Sequence, residues 1–324
     1  MDIILDRQLE NGMLPDVLHQ NGKLNSEYGK PPVMAWAVAV VDRRSPDDAY
    51  IARVYPKLVR LGQFWDQERG GKSDGLYFYA GGHPGNESGW DNSVRWDGGY
   101  QLSKSDEKRL WAIDLKCYLY AHFRALSYLA TRLNRESEAA GWSERAEKLA
   151  RQINDQLWDE EKGFYVDRDR VIGAPSQVLS PAGFMPLFAG IAPKDRAARV
   201  AAAAANPEKF FPGMPTAAYD TPGYDSRAMW RGPAWLNTSF FALKGLRDYG
   251  YTEVADAMRA KLLGWVAAEP ELLREYYDSK TGEGLGARRF AWTGVFAIAF
   301  VLDWENDHLT WLFPRTNNVN GGSD

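Results

Sequence analysis

The stretch WLNTSFFALKGLRDYGYTEVADAMRAKLLGWVAA, Trp235 to Ala268, decides the fold. Its first half sets apolar residues three and four apart (Leu236, Phe240, Leu243), the period of a helix with one buried face. Gly250 reads as the stop, because glycine enters the left-handed conformation that ends a helix at little cost. The period restarts at Thr252 with Ala255, Met258 and Leu262. Two helices joined by so short a turn run back along one another.

Reading outward from this pair, the same period predicts helices over Asp2–Glu10, Val33–Arg44, Asp47–Glu68, Trp111–Leu133, Glu136–Asp159, Val178–Ala189, Pro193–Ala205, Pro270–Tyr277 and Trp292–Trp304. Ser45-Pro46-Asp47-Asp48 is a capped helix entry with an early proline. Only Leu76–Tyr79 and Gly163–Val166 read as strands, so the chain is mainly α. The long connections, Asn11–Pro32, Gly70–Leu110, Phe210–Arg231 and Asp278–Phe290, carry nearly all the Gly, Pro and loop Trp. In a toroid of paired helices, short turns close one end and long loops build a pocket at the other. The expected organisation is one catalytic domain over residues 1–315 and a loose tail over 316–324.

With 324 residues and 45% apolar content, the chain can bury a large core. The net charge is −4 with the signs interspersed, which offers no basic face to nucleic acid. No apolar run reaches the length of a membrane span, and Met1 leads into Asp2, Asp6 and Arg7 rather than a signal leader, so a cytoplasmic location is expected. The single cysteine, Cys117, excludes disulfides within the chain and reads as a buried, inert thiol. His19, His83, His122 and His308 lack metal-site spacing; no cofactor is expected, and a structural calcium on a loop is left open. Aromatic residues make up 13% of the chain, many of them in loops beside Gly, Asp and Arg. That composition suits carbohydrate, whose apolar ring faces stack on indoles while its hydroxyls take short polar partners.

Three clusters carry candidate chemistry. The segment NESGWDNSVRWD, Asn86 to Asp97, sets Asp91 between Trp90 and Asn92, with Arg95 and Trp96 following. Indole beside a carboxyl can keep it protonated, as a general acid requires, although a loop aspartate can equally cap a turn. Glu87 and Asp97 compete for the acid role or bind sugar hydroxyls. REYYDSKTGEGLG, Arg274 to Gly286, offers Glu275 as the matching base, or as a salt-bridge partner of Arg274. Inverting glycosidases hold such a pair roughly 6.5 to 9.5 Å apart, and retaining ones about 5 to 5.5 Å. MWRGPAWLNTSFF, Met229 to Phe241, puts Trp230, Arg231 and Trp235 around a Gly-Pro turn, to stack on a sugar or to pack tightly. Asp16, Lys30 and Trp36 are candidates to line the same pocket.

These motifs, with GKPPVMAW at Gly29 to Trp36, resemble glycoside hydrolase family 63, α-glycosidases on an (α/α)6 toroid. The resemblance implies an inverting exo-α-glycosidase with Asp91, in ESGxDNS, as general acid and Glu275, in EYYD, as general base. It implies substrate contacts from Trp36, Glu87, Trp90, Arg95, Trp96, Trp230, Arg231, Gly232, Trp235, Tyr276 and Trp292. Bacterial members with little beyond the toroid imply a small α-glucoside or α-mannoside, such as glucosylglycerate or mannosylglycerate. An acidic aglycone would need a cation, for which Arg231, Arg288 and Arg289 are candidates. Trehalases share the fold and an ESGWDxSSRW segment, which Trp90, Arg95 and Trp96 resemble, and form the second reading; a sugar epimerase and a non-catalytic sugar-binding toroid are the others. Relatives usually begin with a further helix, so the expectation is a toroid lacking its first helix, whose exposed core would invite association into a homo-oligomer.

Overall fold

A computed structural model describes residues 1–70, 75–80, 83–98 and 110–314; the expected tail, 316–324, lies outside them. The helices are α1 (Asp2–Leu5), α2 (Met34–Arg44), α3 (Asp48–Glu68), α4 (Pro84–Ser88), α5 (Ile113–Arg132), α6 (Glu136–Gln156), α7 (Met185–Phe188), α8 (Lys194–Ala205), α9 (Leu236–Asp248), α10 (Thr252–Ala268) and α11 (Ala291–Leu302). The strands are two residues long: β1 (Val17–Leu18), β2 (Leu24–Asn25), β3 (Leu110–Trp111), β4 (Trp158–Asp159), β5 (Phe164–Tyr165), β6 (Arg168–Asp169), β7 (Tyr276–Tyr277) and β8 (Gly284–Leu285). They pair antiparallel as β1–β2, β3–β6, β4–β5 and β7–β8, small clips in a helical protein.

The chain divides into two compact units, the first Met1–Asp91, Gly98–Gln156 and Arg168–Ala174, the second Asn92–Asp97, Leu157–Asp167 and Pro175–Asp324. In the first unit α5 packs along α6 and also meets α2 and α3. Asn134, at φ 57, makes the turn between α5 and α6; asparagine tolerates this left-handed conformation better than most side chains. The core holds Tyr55, Phe64, Trp65 and Phe123, all but fully buried. Trp65 meets Phe64 edge-on at 5.6 Å.

In the second unit α9 is the hub, packed by α7, α10 and α11. Gly245 permits the α7 contact, since a Cβ there would lie 2.5 Å from the Phe188 backbone nitrogen. Phe240 meets Phe300 at 5.2 Å and Phe296 at 5.7 Å, seating α11 on α9. Gly250, at φ 92, ends the α9 turn as its sequence position predicts. A Phe164, Phe184 and Phe210 cluster at 5.1 to 5.8 Å fills the core beneath β5.

Three expectations fail locally. Residues 270–277 are not a helix: Leu273 takes φ 37, and Tyr276 and Tyr277 pair with β8, a use that suits two adjacent tyrosines. Among the described residues Leu76–Tyr79 is not assigned to a strand, although all four side chains are buried. The stretch from Val178 to Ala189 splits into a 3-10 turn, Pro181–Phe184, and the single-turn α7. The Asp2–Glu10 helix is shorter than its period suggested, and α4 was too short to show one.

His122 on α5 is fully buried, and desolvation, aided by the charge of Arg145, lowers its pKa from 6.5 to about 3. The unfolded chain therefore binds a proton below about pH 6.5 that the folded chain refuses until about pH 3, and stability falls as pH drops through that window. Thermal melts between about pH 7 and about pH 4 should show this fall, with a shallower slope in His122→Leu.

Candidate active site

In the first unit the turn bearing Asp91 is built by glycine. Gly89 caps α4 at φ 79, and at Gly85 a Cβ would run into the Asp91 carbonyl, so α4 and the Asp91 backbone are in direct contact. Ser88 Oγ donates to the Gly85 carbonyl at 2.9 Å and accepts from the Trp90 N–H at 3.2 Å, tightening the same turn. Trp90 is buried, while Asp91 is partly exposed.

Glu87, on α4, is wholly internal to the first unit. It is 0% exposed and accepts from the Arg69 Nε at 3.0 Å, the Arg69 Nη2 at 2.9 Å, the Gly29 N–H at 3.2 Å and the Ala80 N–H. A carboxylate with this many protein donors ties α4 to the segments of Gly29, Arg69 and Ala80. Lys30 adds a bond to the Asn86 carbonyl and a 3.0 Å ion pair with Asp16. Thus GKPPVMAW and ESGWD meet in one unit, with Trp36 buried on α2.

In the second unit the remaining motifs are bonded to one another. Ala234 and Tyr277 exchange backbone hydrogen bonds at 2.8 and 3.0 Å, joining WRGPAW to EYYD. The Asn92 Oδ1 accepts from the Trp230 N–H at 2.9 Å. Arg231 forks onto Asp97 at 3.0 and 2.7 Å and donates to the Gly223 carbonyl. The hydrogen bonds that Arg231 donates to Asp97 hold its guanidinium above its ordinary pKa, so this cation already has its counter-charge.

Arg95 is likewise internal, forked onto Asp167 at 2.8 and 3.0 Å and lying 4.8 Å over the buried ring of Trp96. Arg95 and Trp96 are each only 2% exposed. Asp167 is the residue the sequence reading missed, and no motif announces it, because the pairing spans 72 positions.

The aromatics form a graded stack. Trp230 and Trp235 lie face to face, 3.8 Å apart and tilted by 10°, both only 2% exposed. Tyr276 continues the stack 5.0 Å from Trp235, and Trp292 meets Trp235 at 6.0 Å with 41% exposure. The accessible rings are Tyr276 and Trp292; Trp230 and Trp235 support them from within. Burial, then the charge of Glu275, raises the Tyr276 hydroxyl above its usual pKa.

Gly232 belongs to the framework: a Cβ would lie 2.5 Å from the Asp225 carbonyl, and its own carbonyl accepts from Ser279 Oγ at 2.7 Å. Asp278 closes the DSKTGEG turn. Burial alone would raise its pKa, but the N–H groups of Thr281 and Lys280, the Ser226 hydroxyl and Arg227 outweigh this and hold it low. Glu275 is partly exposed, with its Oε2 accepting from the Ala287 N–H at 2.9 Å. Among the described residues no group of three or more His, Cys, Asp or Glu is placed to hold a metal ion, and no helix is long and apolar enough to cross a membrane.

Paired helices carrying acidic, aromatic motifs on glycine-shaped turns are shared with glycoside hydrolases, and the chain's similarity to known proteins places it among them. The chain belongs to the family described as the mannosylglycerate hydrolase MGH1-like glycoside hydrolase domain, whose model matches residues 1–293. The mannosylglycerate hydrolase of Rubrobacter radiotolerans is 28% identical over 85% of this chain and 74% of its own length. That of Thermus thermophilus is 29% identical over 88% and 80%. A solved structure, the GH63 mannosylglycerate hydrolase from a second strain of Thermus thermophilus with Tris and D-glycerate, superposes with a TM-score of 0.78 at 27% identity, covering 92% of this chain and 86% of that one. The fold class is accordingly the all-α toroid of paired helices.

Two substitutions test the internal roles. Asp167→Asn removes one charge from the buried Arg95–Asp167 pair and should cost about 3–5 kcal/mol in denaturant unfolding. Trp230→Ala should cost a similar amount, about 3–5 kcal/mol, through the cavity it leaves; unchanged stability with weakened sugar binding would return Trp230 to the ligand surface.

Proposed function

We propose that this chain is an inverting α-glycosidase acting on an α-hexosyl glycerate, mannosylglycerate or glucosylglycerate, with Asp91 as general acid and Glu275 as general base. The observation that carries this reading is the family match over residues 1–293, which spans both carboxylates. The relatives' printed names and the D-glycerate in one solved relative favour the glycerate aglycone.

In this mechanism Asp91 protonates the glycosidic oxygen as the bond from the anomeric carbon to the aglycone breaks. Glu275 takes a proton from a water that attacks the same carbon from the opposite face, and the hexose leaves with inverted configuration. Tyr276 and Trp292, the accessible rings of the stack, are the residues to receive the apolar face of the sugar. With Arg231 already paired to Asp97, Arg288 and Arg289, exposed just beyond the Glu275 hairpin, are the better candidates for the glycerate carboxylate.

Hexose release should be measured on mannosylglycerate, glucosylglycerate and trehalose for the parent chain, Asp91→Asn and Glu275→Gln. Turnover of a hexosyl glycerate is expected, with a fall of at least about a thousandfold in each variant and NMR showing the β-anomer first. Trehalose as the better substrate would sink the glycerate assignment, and an active Glu275→Gln would remove the base.

The proposal extends to setting and assembly. A lone thiol buried in α5 suits a cytoplasmic location. On α11, which has no charged residue, Val295, Ile298 and Leu302 are 58–66% exposed at spacings of three and four, a seam that favours a homo-oligomer. Light scattering should show a multimer that Ile298→Lys reduces to monomer; a monomeric parent would exclude it.

A further inference from the structure

We infer that Gly286 and the Ala287 N–H are the positioning elements for the Glu275 carboxylate, and that they leave Oε1 as the oxygen that takes the proton from water. This rests on the reading of Glu275 as the general base.

The β7–β8 hairpin, with Tyr276 opposite Leu285, carries Glu275 alongside Gly286 and Ala287. Glu275 and Ala287 bond twice: the Glu275 N–H donates to the Ala287 carbonyl at 2.9 Å, and the Ala287 N–H donates to Glu275 Oε2 at 2.9 Å. Among the described residues Oε1 has no protein donor, so the two oxygens are unlike: one is occupied and the other can accept a proton.

The backbone on the other side of Glu275 is pinned as well. Thr293 Oγ1 donates to the Arg274 carbonyl at 2.7 Å, and the Phe290 N–H to the Leu273 carbonyl at 2.8 Å. With the main chain held on both flanks, the side-chain torsions of Glu275 are the freedom that remains. The Ala287 N–H fixes them.

Gly286 makes this geometry possible. It has φ 68, and a Cβ there would lie 2.5 Å from Glu275 Oε2, 2.6 Å from Tyr276 Cε1 and 2.8 Å from Glu275 Cβ. Any L side chain at 286 must therefore push the carboxylate off its donor. The other two glycines of TGEGLG answer to different neighbours: a Cβ at Gly282 would strike the Trp265 ring, and one at Gly284 the Arg274 side chain. Of the three, Gly286 alone meets the base.

The test compares Gly286→Asn with Gly282→Ala in the full chain, using the hexosyl glycerate that the parent turns over. Asparagine accepts a positive φ at small cost, so the Asn variant keeps the turn and adds chiefly the Cβ. A displaced carboxylate is expected to lower kcat by at least about a hundredfold, the scale of an ångström-sized misplacement, with KM within about threefold. Gly282→Ala, at φ 79 on the same loop, is expected to melt earlier but keep its kcat per folded molecule. Gly286→Ala is the second variant, with the same kcat expectation should the Asn variant fail to fold.

A double-mutant cycle with Glu275→Asp adds a readout that loop damage would not move. The shorter carboxylate removes the 2.5 Å approach to Oε2, so Glu275→Asp should cost less in the Gly286→Asn background than in the parent. Retention of kcat within about threefold in Gly286→Asn, or an equal loss in Gly282→Ala, would overturn the inference. Failure of the base reading shows separately, as activity in Glu275→Gln.

Discussion

The second unit depends on one reciprocal pair of backbone hydrogen bonds, between Ala234 and Tyr277. These bonds weld the WRGPAW turn to the start of the EYYD hairpin, and each flanking feature follows from the weld. Trp235, next to Ala234, stacks on Tyr276, next to Tyr277, and Trp230 stacks on Trp235 from behind. Glu275 is then one residue from the aromatic stack and directly beside the Gly286–Ala287 peptide. Backbone pairing is well suited to this task, because its geometry is set by the main chain and does not depend on the rotamers of the residues displayed.

Buried charge performs the second structural task. Glu87 and Arg95 belong to the segment that carries the first sugar-like motif and Asp167 lies between β5 and β6, and none of them is presented to solvent. Loops of this length lack the repeating hydrogen bonds of helices. A buried carboxylate such as Glu87, taking donors from Gly29, Arg69 and Ala80, gathers three such segments at one point. The desolvation cost is large when such a group is unpaired, so the network admits few alternative arrangements. The charged residues of these motifs therefore divide into those open to solvent and those that hold the loop. Asp91 and Glu275 are partly exposed, while Glu87 and Arg95 are not.

The helices were legible because each is long enough for its apolar period to repeat: α3, α5, α6, α9 and α10 lie where spacing and stop signals place them. Segments too short to repeat were not legible. The residues from Pro270 to Tyr277 have a helical pattern, yet Leu273 at positive φ and pairing to β8 take them into a hairpin. Leu76–Tyr79 is apolar enough for a strand but takes no strand conformation among the described residues.

The sequence by itself determined the helical class, the family, and which motifs carry carboxylates beside aromatic rings, since each of these is written in residue type and local spacing. Tertiary structure alone decided which charged and aromatic residues remain accessible. Arg95 finds Asp167 across 72 positions and Trp230 disappears behind Trp235, neither of which any local pattern could announce. It also decided why Gly286 must be glycine, because the atoms that would meet its side chain arrive only when β7 and β8 pair. Local propensity acts over a few residues, whereas burial and partner choice are fixed only when distant segments compete for the same space and the same hydrogen bonds.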